Sequence, residues 1–225
     1  MAATTRPARS VPVEPSPAGA ISRDFEPRSR WPIERAAPAS PKTEDGEDGA
    51  PTDSKIYTYA LAQTLLAYAK AVGVGVEAAR PYLEETWELL ETRMWDAEKG
   101  LYAEEADADW NVSPYRSESG NLHVTEALIA AYEATREPKY LERAALVADH
   151  VCNRQAGLTQ GLVWEHFRED WSADLAFAND ADALTIFRPW GFQPGHQVEW
   201  ARFLLALDRH APKMWYLPKA RFLFD

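Results

Sequence analysis

Phe187-Arg188-Pro189-Trp190-Gly191-Phe192-Gln193-Pro194-Gly195-His196-Gln197-Val198-Glu199-Trp200 reads as a polar, aromatic loop that turns into a helix at Pro194. Beyond the proline, Trp200, Phe203, Leu204 and Leu207 recur at helical spacing and mark the buried stripe. His196 therefore falls in the first turn. Unpaired backbone N–H groups and the positive end of the helix dipole disfavour a charged imidazole there. A neutral histidine near pH 7 accepts a proton, as a general base must. Glu199 stands three residues on, on the same face, within reach of the ring. The alternative is a helix-start histidine bonded to its own backbone.

Outward from this stretch the texture is helical. Apolar stripes predict helices over about 54–73, 76–95, 119–135 and 138–155. A further helix opens at Pro194, and a short one runs from near Lys213 to the end, interrupted by Pro218. Long irregular stretches fill about 101–118, with short strands around Leu101-Tyr102-Ala103, and about 156–193. Ala127, Ala130 and Ala131 keep one face of the third helix slim, as close packing or a tight pocket requires. Short turns alternating with long loops suit an α/α toroid whose pocket lies at the rim where the long loops collect. A plain helical bundle would not need loops of such length and aromatic content.

Residues 1–53 are different: rich in proline, with Arg, Ser, Ala and acidic residues mixed without period. The segment has too little apolar surface to offset the entropy of ordering and is expected to be disordered. Two other readings stand beside that one, a targeting peptide and upstream sequence foreign to the domain. The formal net charge of −11 argues against nucleic-acid or anionic-membrane surfaces, which need clustered Lys and Arg. A single cysteine, Cys152, rules out an internal disulfide and a Cys-based zinc cluster. No apolar run reaches the roughly 18 residues of a membrane span, so the expected compartment is the cytosol.

His123 and His196 each open a helix and each precede a glutamate by three residues, Glu126 and Glu199. These pairs line a pocket for proton transfer, clamp a metal between two helical faces, or serve structure alone. Tryptophan and tyrosine are dense outside the apolar stripes, at Trp110, Tyr115, Trp164, Trp171 and Trp190. Flat aromatic faces stack on sugar C–H surfaces, but they also anchor loops. His166 is expected to tie down the Trp164-Glu165-His166 loop, and His150 and His210 to partner helix C-termini.

Ser113-Pro114-Tyr115-Arg116-Ser117-Glu118-Ser119-Gly120-Asn121-Leu122-His123, followed by Thr125-Glu126-Ala127-Leu128, resembles the signature of the N-acylglucosamine 2-epimerase superfamily. Phe187 to Trp200 resembles a second signature, of the mannose isomerase-like branch, and Gly161 to Trp171 and Met94 to Tyr102 fit the same order. The resemblance spans about residues 54–225. It implies an all-α (α/α)6 barrel and metal-free, cofactor-free aldose–ketose isomerisation or 2-epimerisation through an enediol. His196 would be an acid/base histidine with Glu199 as its partner. His123, Tyr59, Arg188, Asn121 and Trp190 would contact a monosaccharide such as mannose. Relatives read Arg-Gly-Gln-Asn-Ala-Asn-Met-His where this chain has Arg116 to His123, so Ser119 replaces an amide that contacts sugar. Counterparts of the family's opening helices, and of the closing helices that bring a second acid/base histidine, are not found. The expectation is thus about half of the toroid, with impaired catalysis. Its alternatives are a non-catalytic remnant that binds sugar, pairing as a homo-oligomer or with a complementary fragment, and a helical metal-binding protein.

Overall fold

The structure, a computed structural model, describes residues 54–177 and 188–225. The expected tail at 1–53 and Phe187 of the second signature lie outside them. Strand β1 (Ile56–Tyr57) leads into α1 (Thr58–Gly73), and a 3-10 turn at Glu77–Ala79 leads into α2 (Arg80–Leu89), which widens into a π turn at Leu90–Met94. The first long loop holds β2 (Trp95–Asp96), β3 (Leu101–Tyr102), β4 (Glu105–Ala106) and β5 (Arg116–Ser117). Then come α3 (Glu118–Thr135) and α4 (Pro138–Asp149), the latter widening into a π turn at His150–Gln155. The second long loop holds β6 (His166–Phe167), and α5 (Pro194–His210) and α6 (Tyr216–Phe224) finish the chain.

Helix α3 is the centre of the packing. It lies against α1 on one side, α5 on the other and α4 behind. Leu122, Val124, Ala127, Leu128 and Ala131 are all removed from solvent, so nearly every side of the helix is covered. The slim alanines let the neighbouring helices approach closely. Leu61 and Leu65 of α1 and Trp200, Phe203, Leu204 and Leu207 of α5 complete the core. Each buried leucine contributes about 1.5–3 kcal/mol by leaving water.

Two boundaries differ from the sequence pattern. The first helix begins at Thr58 and not near 54, because Ile56 and Tyr57 pair antiparallel with Ala106 and Glu105. Pro218 does not interrupt the last helix. It sits in the first turn, where a missing N–H costs no intrahelical bond.

The short strands tie the long loops to one end of the helical layer. β1 pairs with β4, β2 with β3, and β5 with β6, all antiparallel. The β2–β3 turn closes on Asp96, whose Oδ1 accepts from the backbone of Glu98 and Lys99, both at 3.0 Å. Gly100 in that turn has φ +67°, and a Cβ there would strike the His150 ring at 2.2 Å. The β1–β4 ladder fixes the start of α1, and β5–β6 fixes the start of α3. Gln197 clamps the second loop to the start of α5, accepting from Val163 N at 3.0 Å and donating to Val163 O at 2.8 Å. The N-termini of α1, α3 and α5 therefore meet the two loops at one rim.

Candidate active site

At that rim the β5–β6 register sets Ser117 opposite His166 and Arg116 opposite Phe167. One step further, the Glu118 amide donates to Glu165 O at 3.1 Å, which brings two glutamates side by side. Both are buried, at 1% and 3% exposure. The Gln197 clamp then delivers His196 to them. Its Nδ1 lies 2.5 Å from Glu118 Oε1 and 3.1 Å from Glu165 Oε2. The hydrogen bond in line is the one given to Glu165, while Glu118 Oε1 is nearer but off the N–H axis. The other Glu118 oxygen accepts from the indole N–H of Trp200 at 2.7 Å, one helical turn after His196. Among the described residues Nε2 of His196 has no hydrogen-bond partner, and the side chain is 25% exposed.

This arrangement reverses the charge expected for His196. Burial pulls the imidazole down, but the hydrogen bond to Glu165, the close approach of Glu118 and the charges of both outweigh it and push its pKa up to about 11. Glu165 moves up to about 8, through burial first and the charge of Glu118 second, against the opposing pull of the His196 hydrogen bond. His196 is thus an imidazolium at pH 7. The neutral ring expected from the helix N-terminus fails because a dipole end contributes about 0.3–1 kcal/mol, less than two adjacent carboxylates.

The neutral histidine is His123, lowered by burial. The edge of the Tyr59 ring meets it at 4.7 Å between centroids. The amide of Gln63 lies 3.4 Å from its Nδ1, an arrangement in which Nδ1 accepts and Nε2 carries the hydrogen. Below His123, one turn further along α3, a cavity of 690 Å³ opens between Glu126, Ala130, Val198, Arg202 and Leu217. It includes neither histidine.

Glu104 completes the rim. Burial raises its carboxyl, which accepts from Ser117 Oγ at 3.0 Å and Gly120 N at 3.2 Å at the start of α3. A side chain at Gly120 would place Cβ 2.6 Å from that same oxygen, so the close approach demands glycine.

The model of the N-acylglucosamine 2-epimerase (GlcNAc 2-epimerase) family matches residues 43–225. The chain belongs to the N-acylglucosamine 2-epimerase family. It is 48% identical over 181 residues to a D-mannose isomerase of Marinomonas mediterranea, covering 80% of this chain and 46% of that protein. A crystal structure of D-mannose isomerase superposes with a TM-score of 0.71 at 46% identity, over 79% of this chain and 44% of that one. A cellobiose 2-epimerase from Bacillus thermoamylovorans shares the fold at 17% identity and TM-score 0.64, over 78% and 45% of the two chains. This chain spans less than half the length of the relatives it matches. Its helices form about half of an (α/α)6 barrel.

Within this family frame several expected contacts move. Glu199 is not the partner of His196; that place is taken by Glu118 and Glu165, and the charge of Glu199 acts on His123 instead. Asn121 is not placed to bind sugar. It is fully buried, with its amide accepting from Tyr102 N at 2.8 Å and donating to Tyr102 O at 2.9 Å and Ser117 O at 3.3 Å. Arg188 is engaged with Glu105 at 2.7 Å and lies 4.1 Å over the Tyr115 ring. Trp190 is 61% exposed and meets the buried Trp164 edge-on at 5.6 Å. Trp164 and Trp171 are loop anchors. Tyr59, at 38% exposure, and Trp190 keep part of their surface open to solvent.

The two His-x-x-Glu faces do not converge as a metal clamp, since Glu126 pairs with Arg202 at 2.7 Å. Among the described residues the one group of potential ligand atoms is Glu118, Glu165 and His196, within 4.8 Å of one another. Ligands sharing a tetrahedral zinc ion at the usual bond lengths stand about 3.3 Å apart. The 2.5 Å approach of Nδ1 to Glu118 is shorter than that spacing. His210, in the last turn of α5, lies 3.0 Å from Glu133. His150 opens the π turn and donates to Gly100 O at 2.8 Å. No described helix is long and apolar enough to cross a membrane.

Glu118 and Glu165 carry no sign in the sequence that they form a pair. Glu118 stands out only as one residue of the first signature. Nothing in the sequence linked that position to Glu165, because the β5–β6 ladder that joins them is only two residues long.

Proposed function

We propose that these residues form one wall of the site of an aldose–ketose isomerase or sugar 2-epimerase of the mannose isomerase type. The observation that carries this reading is the pairing of His196 with two buried carboxylates at the rim, its Nε2 left open, beside a neutral His123 and the half-open Tyr59. The chemistry moves protons between carbon and oxygen of a sugar through an enediol. Removing one proton-transfer group from such a site costs about 10²–10⁴ in rate. His196 is the proton-transfer residue here, and His123, Tyr59 and Trp190 shape the sugar-facing side. Neither a metal nor an organic cofactor enters the scheme.

Incubation with mannose in D₂O tests this. Fructose formation or deuterium at C2, lost in His196→Ala, supports the reading. No exchange at high protein concentration overturns the catalytic part and leaves a sugar-binding remnant. A second reading, that the chain works by pairing with a complementary half, draws on the exposed Val198, Leu205, Leu217 and Phe224 beside the cavity. A monomer at all concentrations in sedimentation, with no partner half restoring activity, would end it.

A further inference from the structure

We propose that Glu118 and Glu165 are positioning residues that keep His196 as an imidazolium with its Nε2–H turned to the open side of the rim, so that His196 meets a sugar oxygen as a hydrogen-bond donor and not as the base. The proposal deepens the reading of this site as a sugar isomerase wall and rests on it for the identity of the ligand. Burying a carboxylate without a cation costs several kcal/mol, and here two acids are buried side by side, at 1% and 3% exposure, the charge of Glu118 pushing Glu165 up. Among the described residues the cationic group touching both is His196, through the single atom Nδ1. Arg188 and Lys55 are occupied by Glu105. The Trp200 indole holds one Glu118 oxygen at 2.7 Å and fixes the carboxylate plane. The Glu118 amide bond to Glu165 O fixes the distance between the two acids.

With Nδ1 facing both acids, the other ring nitrogen is the one that meets a ligand. An imidazolium has no lone pair there and works as a donor. The titratable groups that sense this cluster are His123, His166 and Cys152, through the charge of Glu118, and Tyr115 before β5, through that of Glu165. His123 is neutral, so it adds no opposing positive charge at pH 7. Burial alone would leave His196 neutral; the two carboxylates overrule it.

The test is a ¹⁵N NMR titration of the five histidines in the intact chain, with His196 assigned by its loss in His196→Asn. The expected result is that both His196 nitrogens stay protonated beyond pH 9. The midpoint then falls by about 1–3 pH units in Glu165→Gln and in Glu118→Gln. A wild-type midpoint near the ordinary 6.5, or one that neither substitution moves, overturns the proposal. The wild-type titration decides by itself if a variant does not fold. No sugar is present, so a failure here is separate from a failure of the exchange experiment, which reads catalysis.

Discussion

Acidification from pH 7 to pH 5 should weaken the fold through one ring, His166. The imidazole is fully buried, stacked on Phe177 at 3.6 Å between centroids, with Tyr115 Oη at 2.8 Å from Nδ1 and Pro189 O at 2.8 Å from Nε2. Pro189 O only accepts, so Nε2 carries the hydrogen and Nδ1 accepts from the phenol. Burial first, with the charge of Arg188 adding to it, lowers the ring to about 4 from its usual 6.5. A lowered histidine stabilises the fold above its unfolded pKa, and that contribution is lost as pH falls toward the folded value. Linkage gives a loss of about 2 kcal/mol between pH 7 and pH 5 for a ring wholly shielded from solvent. Water reaching the surrounding loop screens part of this, leaving about 1–2 kcal/mol. Urea unfolding followed by tryptophan fluorescence, at both pH values, measures it in wild type and in His166→Gln. The wild type should lose about 1–2 kcal/mol more than the variant over that interval, since glutamine does not titrate. Equal losses in the two proteins would refute the assignment of a buried, neutral His166.

Two further outcomes concern how the rim is built. Asn121→Ala strands the backbone N–H and carbonyl of Tyr102 away from water, so urea unfolding should show a loss of about 2–4 kcal/mol. A loss below 0.5 kcal/mol would return Asn121 to the list of sugar contacts. Gly120→Ala drives a methyl against Glu104 Oε2 and Thr58, and overpacking of this kind costs about 1–3 kcal/mol; a variant as stable as wild type would show that Glu104 can withdraw from the start of α3.

The helices were legible in the sequence because each carries its own signal. The apolar stripes of α1, α3 and α5, the alanines of α3 and Pro194 at the opening of α5 are local patterns with a helical period. His123 and His196 could be placed near helix starts for the same reason. Tertiary structure alone decided what the histidines face. Glu118 and Glu165 stand 47 residues apart and meet across a two-residue ladder that leaves no periodic trace. Glu199 looked like the partner because helical spacing is visible in a sequence, whereas the Gln197 clamp that turns His196 toward the loop is not. The charge state followed the same rule: a helix N-terminus can be read from residue order, but the two buried carboxylates that outweigh it become neighbours only when the loops fold over the rim.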